Sequence, residues 1–235
     1  MIENVVALRE AWRTTLAGIG VGQDVAVVVG GPPAEAIAEA VPMAVADEVA
    51  GLAILGSGPS LAADATPSST GLPTDTADAV MMLAAWRSPE ELRSVVAEAR
   101  RVLAPGGRLI LGEVDVDALL TATVATRRSS LLYRRYRSPI LASLPGDRPV
   151  AAPAFALLRG GFGSIESATV DLPVGVFSTP GAYVEAVLAG VWPGIGIVPP
   201  HERTALEGEI LESLRGTAFP LTEYQPWSLA YGIAP

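Results

Sequence analysis

A chain of 235 residues that is half hydrophobic can bury a substantial core, and its formal net charge of −9 would repel a phosphate backbone unless the basic residues were segregated. The absence of cysteine excludes disulfides, thiolate metal sites and a cysteine nucleophile, and a single histidine excludes any mechanism or metal site built on several imidazoles. These limits point to a small molecule or another protein as partner rather than nucleic acid or a metal, and they leave a homo- or hetero-dimer open.

Taken in chain order, "MIENVVALREAW" carries acidic residues early and has no basic region ahead of an apolar stretch, so it does not read as a signal peptide. No run of eighteen apolar residues follows, which predicts no membrane span and a cytoplasmic protein. Val5, Leu8, Trp12 and Leu16 share helical spacing, and "GIGVGQD" stops that helix. "VAVVVGG" is apolar without alternation, as in a strand covered on both faces, and Pro33 suits the first turn of the helix "AEAIAEAV". "PMAVAD" predicts a second strand ending in Asp47, "EVAGLAILGSG" a helix, and "PSLAADA" a third strand ending near Asp64.

"TPSSTGLPTDT" is loop by composition, and "ADAVMMLAAW" predicts a fourth strand. The next helix, "SPEELRSVVAEARRVL", has Ser88 as N-cap, Pro89 at its first position and Glu91 at the capping-box position. "APGGRLILGEV" then gives a turn and a fifth strand. Asp115 to Arg137 reads as helical and ends in "RRSSLLYRRYR"; a Pro-rich connection leads to "PAFALLRGGFGSIESATVDL", a helix, glycine turn and sixth strand. Two more helices, roughly Pro180 to Ala189 and Pro200 to Arg215, precede a final strand, "PWSLAYGIA". Strands alternating with helices predict a doubly wound α/β sheet, mostly parallel. No internal repeat or polar linker divides the chain, which predicts one domain over residues 1–235. It has a helical lid or insertion at about 115–150 and further helices at about 179–216.

The segment "DATPSSTGLPTDTADAVMMLAAWRSPEELRSVVAEARRVLAPGGRLILGEV" resembles the middle of a class I S-adenosylmethionine-dependent methyltransferase of the broad small-molecule, type 11-like group. The shared features are an acidic residue before an "LP" loop, a "DAV" strand, and a helix ending in "RVLAPGG" with a strand after it. The tail from "ALLRGGFGSIESATVDLP" to "PWSLAYGIA" is similar to that family's last helix, sixth strand and terminal antiparallel strand. The resemblance implies a seven-stranded, Rossmann-like sheet with its last strand antiparallel, and a cofactor, S-adenosylmethionine, lying across the carboxyl ends of the first strands.

Carried over residue by residue, the resemblance implies a cofactor loop at Gly30 and Gly31. Gly30 matches the first motif glycine, while Pro32 and Ala34 occupy the later two. It further implies that Asp47 accepts the ribose hydroxyls, that Asp64 and Ala65 lie beside the adenine, and that Leu83 ends the fourth strand against the cofactor. A carboxylate accepting two hydroxyl hydrogen bonds suits Asp47. Pro32 and Pro33, by contrast, add bulk and delete two N–H groups where the backbone should pass close to the cofactor. Each residue also has a plainer reading: a turn that needs glycine, or polar ends of short strands.

Trp86, Tyr133 and Tyr136 are candidates for a substrate pocket, Trp86 as an aromatic wall beyond the fourth strand and the tyrosines on a lid. Their plainer reading is core, with Leu131, Leu132 and Tyr136 inside a helix and the five arginines of 127–137 in water. His201 is most simply a solvated residue at a helix start. No catalytic residue or metal ligand is assigned, since in-line transfer of an activated methyl relies on alignment more than on a strong base. Two functions follow: methyl transfer to a small molecule, or an inactive methyltransferase-like partner or binding subunit with an eroded cofactor site.

Overall fold

The computed structural model describes residue 14 and residues 25–29, 54–56, 68–83, 86, 88–122, 128–143, 152–192 and 195–235. Among these, six strands form one sheet in the order β2-β1-β3-β4-β6-β5. They are β1 (Val25–Val29), β2 (Ile54–Gly56), β3 (Ala77–Leu83), β4 (Leu103–Val114), β5 (Gly163–Phe177) and β6 (Leu221–Ile233). The first four are parallel, and β6 is antiparallel to both of its neighbours.

The expected strands at 25–29 and 77–83 are present. Ile54–Gly56, expected inside a helix, is instead a strand parallel to β1 with Val27 opposite Ile54. β-branched Ile54 and Gly56 both weaken a helix interior there, and pairing with β1 decides for a strand. Of the expected N-terminal helix only Thr14 is described, and it is helical; the helix after Gly31 and the strands at "PMAVAD" and "PSLAADA" lie outside the described residues.

β3 shows why the sheet is covered on both sides. Ala79, Met81 and Leu83 enter one hydrophobic core, and Val80 and Met82 enter the other. Against the second core packs α1 (Pro89–Val102), through Leu92, Val95, Val96, Ala99 and Val102, together with α4 (Ala152–Arg159). The α1 start follows the sequence signature: Ser88 is the N-cap, its hydroxyl accepting from the Glu91 N–H at 3.2 Å, and Pro89 comes first in the helix. The "PGG" after it has a backbone reason. Gly106 lies at φ +78°, and a Cβ on Gly107 would stand 2.8 Å from the Ala104 carbonyl oxygen and 3.1 Å from that of Asp78.

The first core holds α2 (Val116–Thr121), α3 (Ser130–Ser143), α5 (Pro180–Ala186) and α6 (Pro200–Ser213). The single helix expected from Asp115 to Arg137 is thus broken: α2 ends at Ala122, whose backbone is extended, and α3 begins at Ser130. Pro139 inside α3 removes one N–H and crowds the preceding turn, where Tyr136 departs from helical geometry. α5 runs on into a π-helical turn, Val187–Val191, with Gly190 at φ +127°.

β5 and β6 continue past the rest of the sheet. The last β4 residue, Val114, lies opposite Trp227, while β6 pairs with β5 as far as Leu221 opposite Phe177. A two-stranded ribbon therefore projects beyond the carboxyl end of β4. Pro226 sits at this boundary, its carbonyl accepting the Asp115 N–H at 2.8 Å. On that side the β4 ladder has ended, so a missing proline N–H costs no sheet bond.

Candidate functional site

The carboxyl ends of parallel strands are where open α/β sheets bind ligands. In this chain that rim comprises Leu83 at the end of β3, Gly112 to Val114 at the end of β4, and the β6 face above them. Gly112 is required for close packing: a Cβ there would stand 2.5 Å from Leu83 Cδ2 and 2.8 Å from Leu229 Cδ2, with the Trp227 ring at 3.4 Å. Asp115, the next residue outward, caps α2 by accepting the Ala118 N–H at 2.9 Å. Its other oxygen accepts from Ser228 at 3.0 Å and Thr169 at 3.2 Å, tying the rim to both strands of the ribbon.

Beneath the ribbon lies a buried polar cluster. Glu223 is 6% exposed, and both of its carboxylate oxygens accept hydrogen bonds. The Tyr183 hydroxyl donates to Oε2 at 3.0 Å and the Trp192 indole N–H donates to Oε1 at 3.1 Å. The tyrosine and tryptophan rings meet edge-on, 6.2 Å apart. Gln225, two residues along the same strand face, donates its amide to the Val191 carbonyl. The π-helical turn presents that carbonyl and places Trp192 directly after it; such turns recur at functional sites. Burial, reinforced by the Glu223 charge, pushes the Tyr133 and Tyr183 phenols far above their ordinary range. They stay protonated, and Tyr183 remains a hydrogen-bond donor to the carboxylate.

Of the residues singled out from the sequence, Leu83, Tyr133 and Tyr136 come together in the first core, on the same side of the sheet as the Glu223 cluster. Trp86 does not join them: it is buried in the second core with Val95 and Leu92, across the sheet. α3 turns Leu132, Tyr133 and Tyr136 inward and leaves Arg134, Arg135 and Arg137 exposed, an inner face close to the one expected. Tyr136 donates to Glu202 of α6, a bond that raises its own pKa, and Arg135 pairs with Glu209 at 2.5 Å. His201 is exposed in the first turn of α6, 3.7 Å from Glu202. Gly30, Gly31, Asp47, Asp64 and Ala65 lie outside the described residues.

Glu223, Gln225, Tyr183 and Trp192 were missed because a glutamate and a glutamine interrupt the apolar pattern of β6, and the expected strand began only at Pro226. Their alternation, Glu223, Gln225 and Trp227 on one face, was the available signal. No group of three or more His, Asp or Glu among the described residues is arranged to hold a metal ion. No helix among them is long and apolar enough to cross a membrane.

Residues 34–111 match the family described as "Methyltransferase domain". No curated protein matches the sequence at a significant level. Among solved structures, the chain is similar to a protein from Anaeromyxobacter dehalogenans described as a candidate type II methyltransferase. The two share 18% identity over 96% of this chain and 94% of that one, with a TM-score of 0.51. A second, from Anabaena variabilis ATCC 29413, is described as a candidate methyltransferase from an antibiotic biosynthesis pathway; it shares 14% identity over 95% and 96% of the two chains, with a TM-score of 0.50. At these identities the likeness is one of fold. The family match thus covers about a third of the chain, and the likeness to the two solved structures is that of a methyltransferase fold.

Proposed function

We propose that the protein transfers a methyl group from S-adenosylmethionine to a small molecule, at the rim where the carboxyl ends of β3 and β4 meet the ribbon. The observation that supports this most is the Glu223 cluster: a buried, oriented polar group on the ligand-binding side of a methyltransferase fold. The described rim fits such a cofactor in part. Leu83 marks the strand end beside which the cofactor would lie, while the packing of Leu83, Leu229 and Trp227 on Gly112 holds that end of the sheet in place. Gly30 and Gly31 would take the methionine portion, Asp47 the ribose, and Asp64 with Ala65 the adenine. A seventh strand, a cytoplasmic location, a lid at about 115–150 and dimerisation belong to the same reading.

Bound there, S-adenosylmethionine supplies an activated methyl group. The chain's own residues then bind, orient and exclude water. Tyr183 and Trp192 fix the Glu223 carboxylate, the π-helical turn fixes Gln225, and burial of all four keeps competing water out. Alignment of the acceptor with the methyl can supply most of the rate.

The second reading, a partner subunit that no longer transfers methyl groups, is favoured by one feature: Pro32 and Ala34 stand where the cofactor loop has glycines. Calorimetric titration with S-adenosylmethionine separates the two. The transferase reading expects saturable binding, weakened about ten- to a hundredfold by Asp47→Ala, the range for losing a charge-assisted contact. Absence of binding to the folded wild type would establish the partner reading instead.

A further inference from the structure

β5 ends the sheet: no described strand lies beyond it, and at 15 residues it presents a long row of backbone groups to that side. Hydrogen bonds on the neighbouring strand fix which residues supply the row. The Pro226 carbonyl accepts from Asp115, and Ala234, just past β6, exchanges both of its backbone bonds with Gly106 and Gly107. Even-numbered residues of β6 therefore face β4, and odd-numbered ones face β5. Opposite the odd residues stand Glu166, Ala168, Val170 and Leu172, which carry the β5–β6 ladder. Ser167 and Thr169, set between them, aim their N–H and C=O away from the sheet, and both residues are exposed. Pro173 falls on the same outward row, opposite Tyr224, where its missing N–H costs no bond to β6. Residues 164–172 hold no lysine or proline, two of the devices that blunt an open edge, and the Glu166 carboxylate is turned back to the Tyr231 hydroxyl at 2.9 Å.

We infer that this edge pairs with the same edge of a second copy, β5 against β5 and antiparallel about a two-fold axis at Ala168, so that one sheet runs through a homodimer. This names the dimer surface and does not depend on methyl transfer. Pairing of identical antiparallel strands is isologous, so every contact is made twice. Centred on Ala168, Ser167 exchanges N–H and C=O bonds with the partner's Thr169, and Thr169 with the partner's Ser167. Their hydroxyl-bearing side chains then stand across from each other, a favourable cross-strand pair. Glu166 lies opposite the partner's Val170, which keeps like charges apart. Pro173 comes opposite the partner's Gly163, where the ladder ends, so its lack of an N–H is not felt. A register centred on Thr169 would bring that proline inside the ladder, against Ile165. One centred on Ser167 would set regular strand against the irregular start of β5, where Ser164 lies at φ +49°. It is this self-match of the outward row that singles out a second copy as the occupant.

Light scattering on the full chain over a concentration series should show the mass rise from 24.2 kDa toward twice that value. Ser167→Pro removes an outward N–H and leaves the β6 ladder intact. It should raise the dimer dissociation constant about tenfold or more, with circular dichroism unchanged. The absence of cysteine makes a second test clean. On the axis, Ala168 meets the partner's Ala168 at a non-hydrogen-bonded position, where Cα atoms stand about 4.5 Å apart, within disulfide range. Ala168→Cys should therefore cross-link under mild oxidation on the order of tenfold faster than Leu158→Cys, an exposed position on α4. A monomeric mass at the highest attainable concentration, a folded Ser167→Pro that dimerises like wild type, or cross-linking no faster at 168 than at 158 would each overturn the inference. Should Ser167→Pro fail to fold, the mass series and the cross-linking still decide. Titration with S-adenosylmethionine reads the transferase proposal separately, so either can fail alone.

Discussion

Glu223 accepts from Tyr183 and Trp192, and the consequences of removing one of these donors are specific. Tyr183→Phe keeps the ring and its edge contacts with Phe177 and Trp192 but removes a donor from a buried carboxylate oxygen. Such a loss costs about 1–3 kcal/mol, which urea unfolding would register as a lower midpoint with an unchanged slope. Gly112→Val tests the close packing of the rim. Its side chain would collide with Leu83 and Leu229, on the strands either side, so overpacking of about 1–3 kcal/mol or more is expected in the same assay. Residue types alone pointed to Trp86, Tyr133 and Tyr136, yet sequence position did not reveal that the tryptophan faces the opposite side of the sheet from the tyrosines. The sheet face a residue takes after its strand ends depends on the chain path, which no local pattern encodes.

Elements with strong local signals were legible. α1 was readable to its cap because Ser88, Pro89 and an amphipathic face agree, and the irregular start of β4 because glycine meets the backbone demands at 106 and 107. Ser88→Ala should therefore lower stability by about 1 kcal/mol in thermal or urea unfolding. The break between α2 and α3, the strand at Ile54–Gly56 and the first five residues of β6 were not legible. In each, tertiary partners override local preference: Asp115 draws α2 to the ribbon, β1 recruits β2, and the Tyr183 and Trp192 donors let β6 bury a glutamate.

The clasp between α1 and the loop before β3 adds a pH dependence. Glu98 accepts from the Arg101 guanidinium through both oxygens, at 2.7 and 2.8 Å, and from the Thr70 N–H and hydroxyl. These contacts, the arginine first, hold its carboxyl down to about 2 from an ordinary 4.5. A depressed folded-state pKa stabilises fully above the unfolded value and is lost as pH falls from about 4.5 toward 2. The contribution near neutrality is on the order of 2–3 kcal/mol. Glu98→Gln should lower stability at pH 7 and flatten its acid dependence across that window, as followed by urea midpoints at successive pH values. An unchanged acid slope in the variant would contradict the assignment.

Over the whole molecule, a parallel half, β2-β1-β3-β4, supplies carboxyl ends for a ligand, and an antiparallel half, β6-β5, overhangs them with a ribbon that carries the polar cluster. The α/β class was legible because strand and helix periods alternate along the chain. The cluster under the ribbon was not, since it joins residues 183, 192 and 223 from three separate elements. The central claim is that a nucleoside cofactor binds at the carboxyl ends of the leading strands. Hydrogen–deuterium exchange with and without S-adenosylhomocysteine, resolved by peptide, measures this directly. The account predicts slower exchange after β1, around residues 29–34, and at the end of β3, around 83–86, with β5 unaffected at its far edge. Unchanged exchange at both strand ends under saturating ligand, or protection confined to other surfaces, would contradict it.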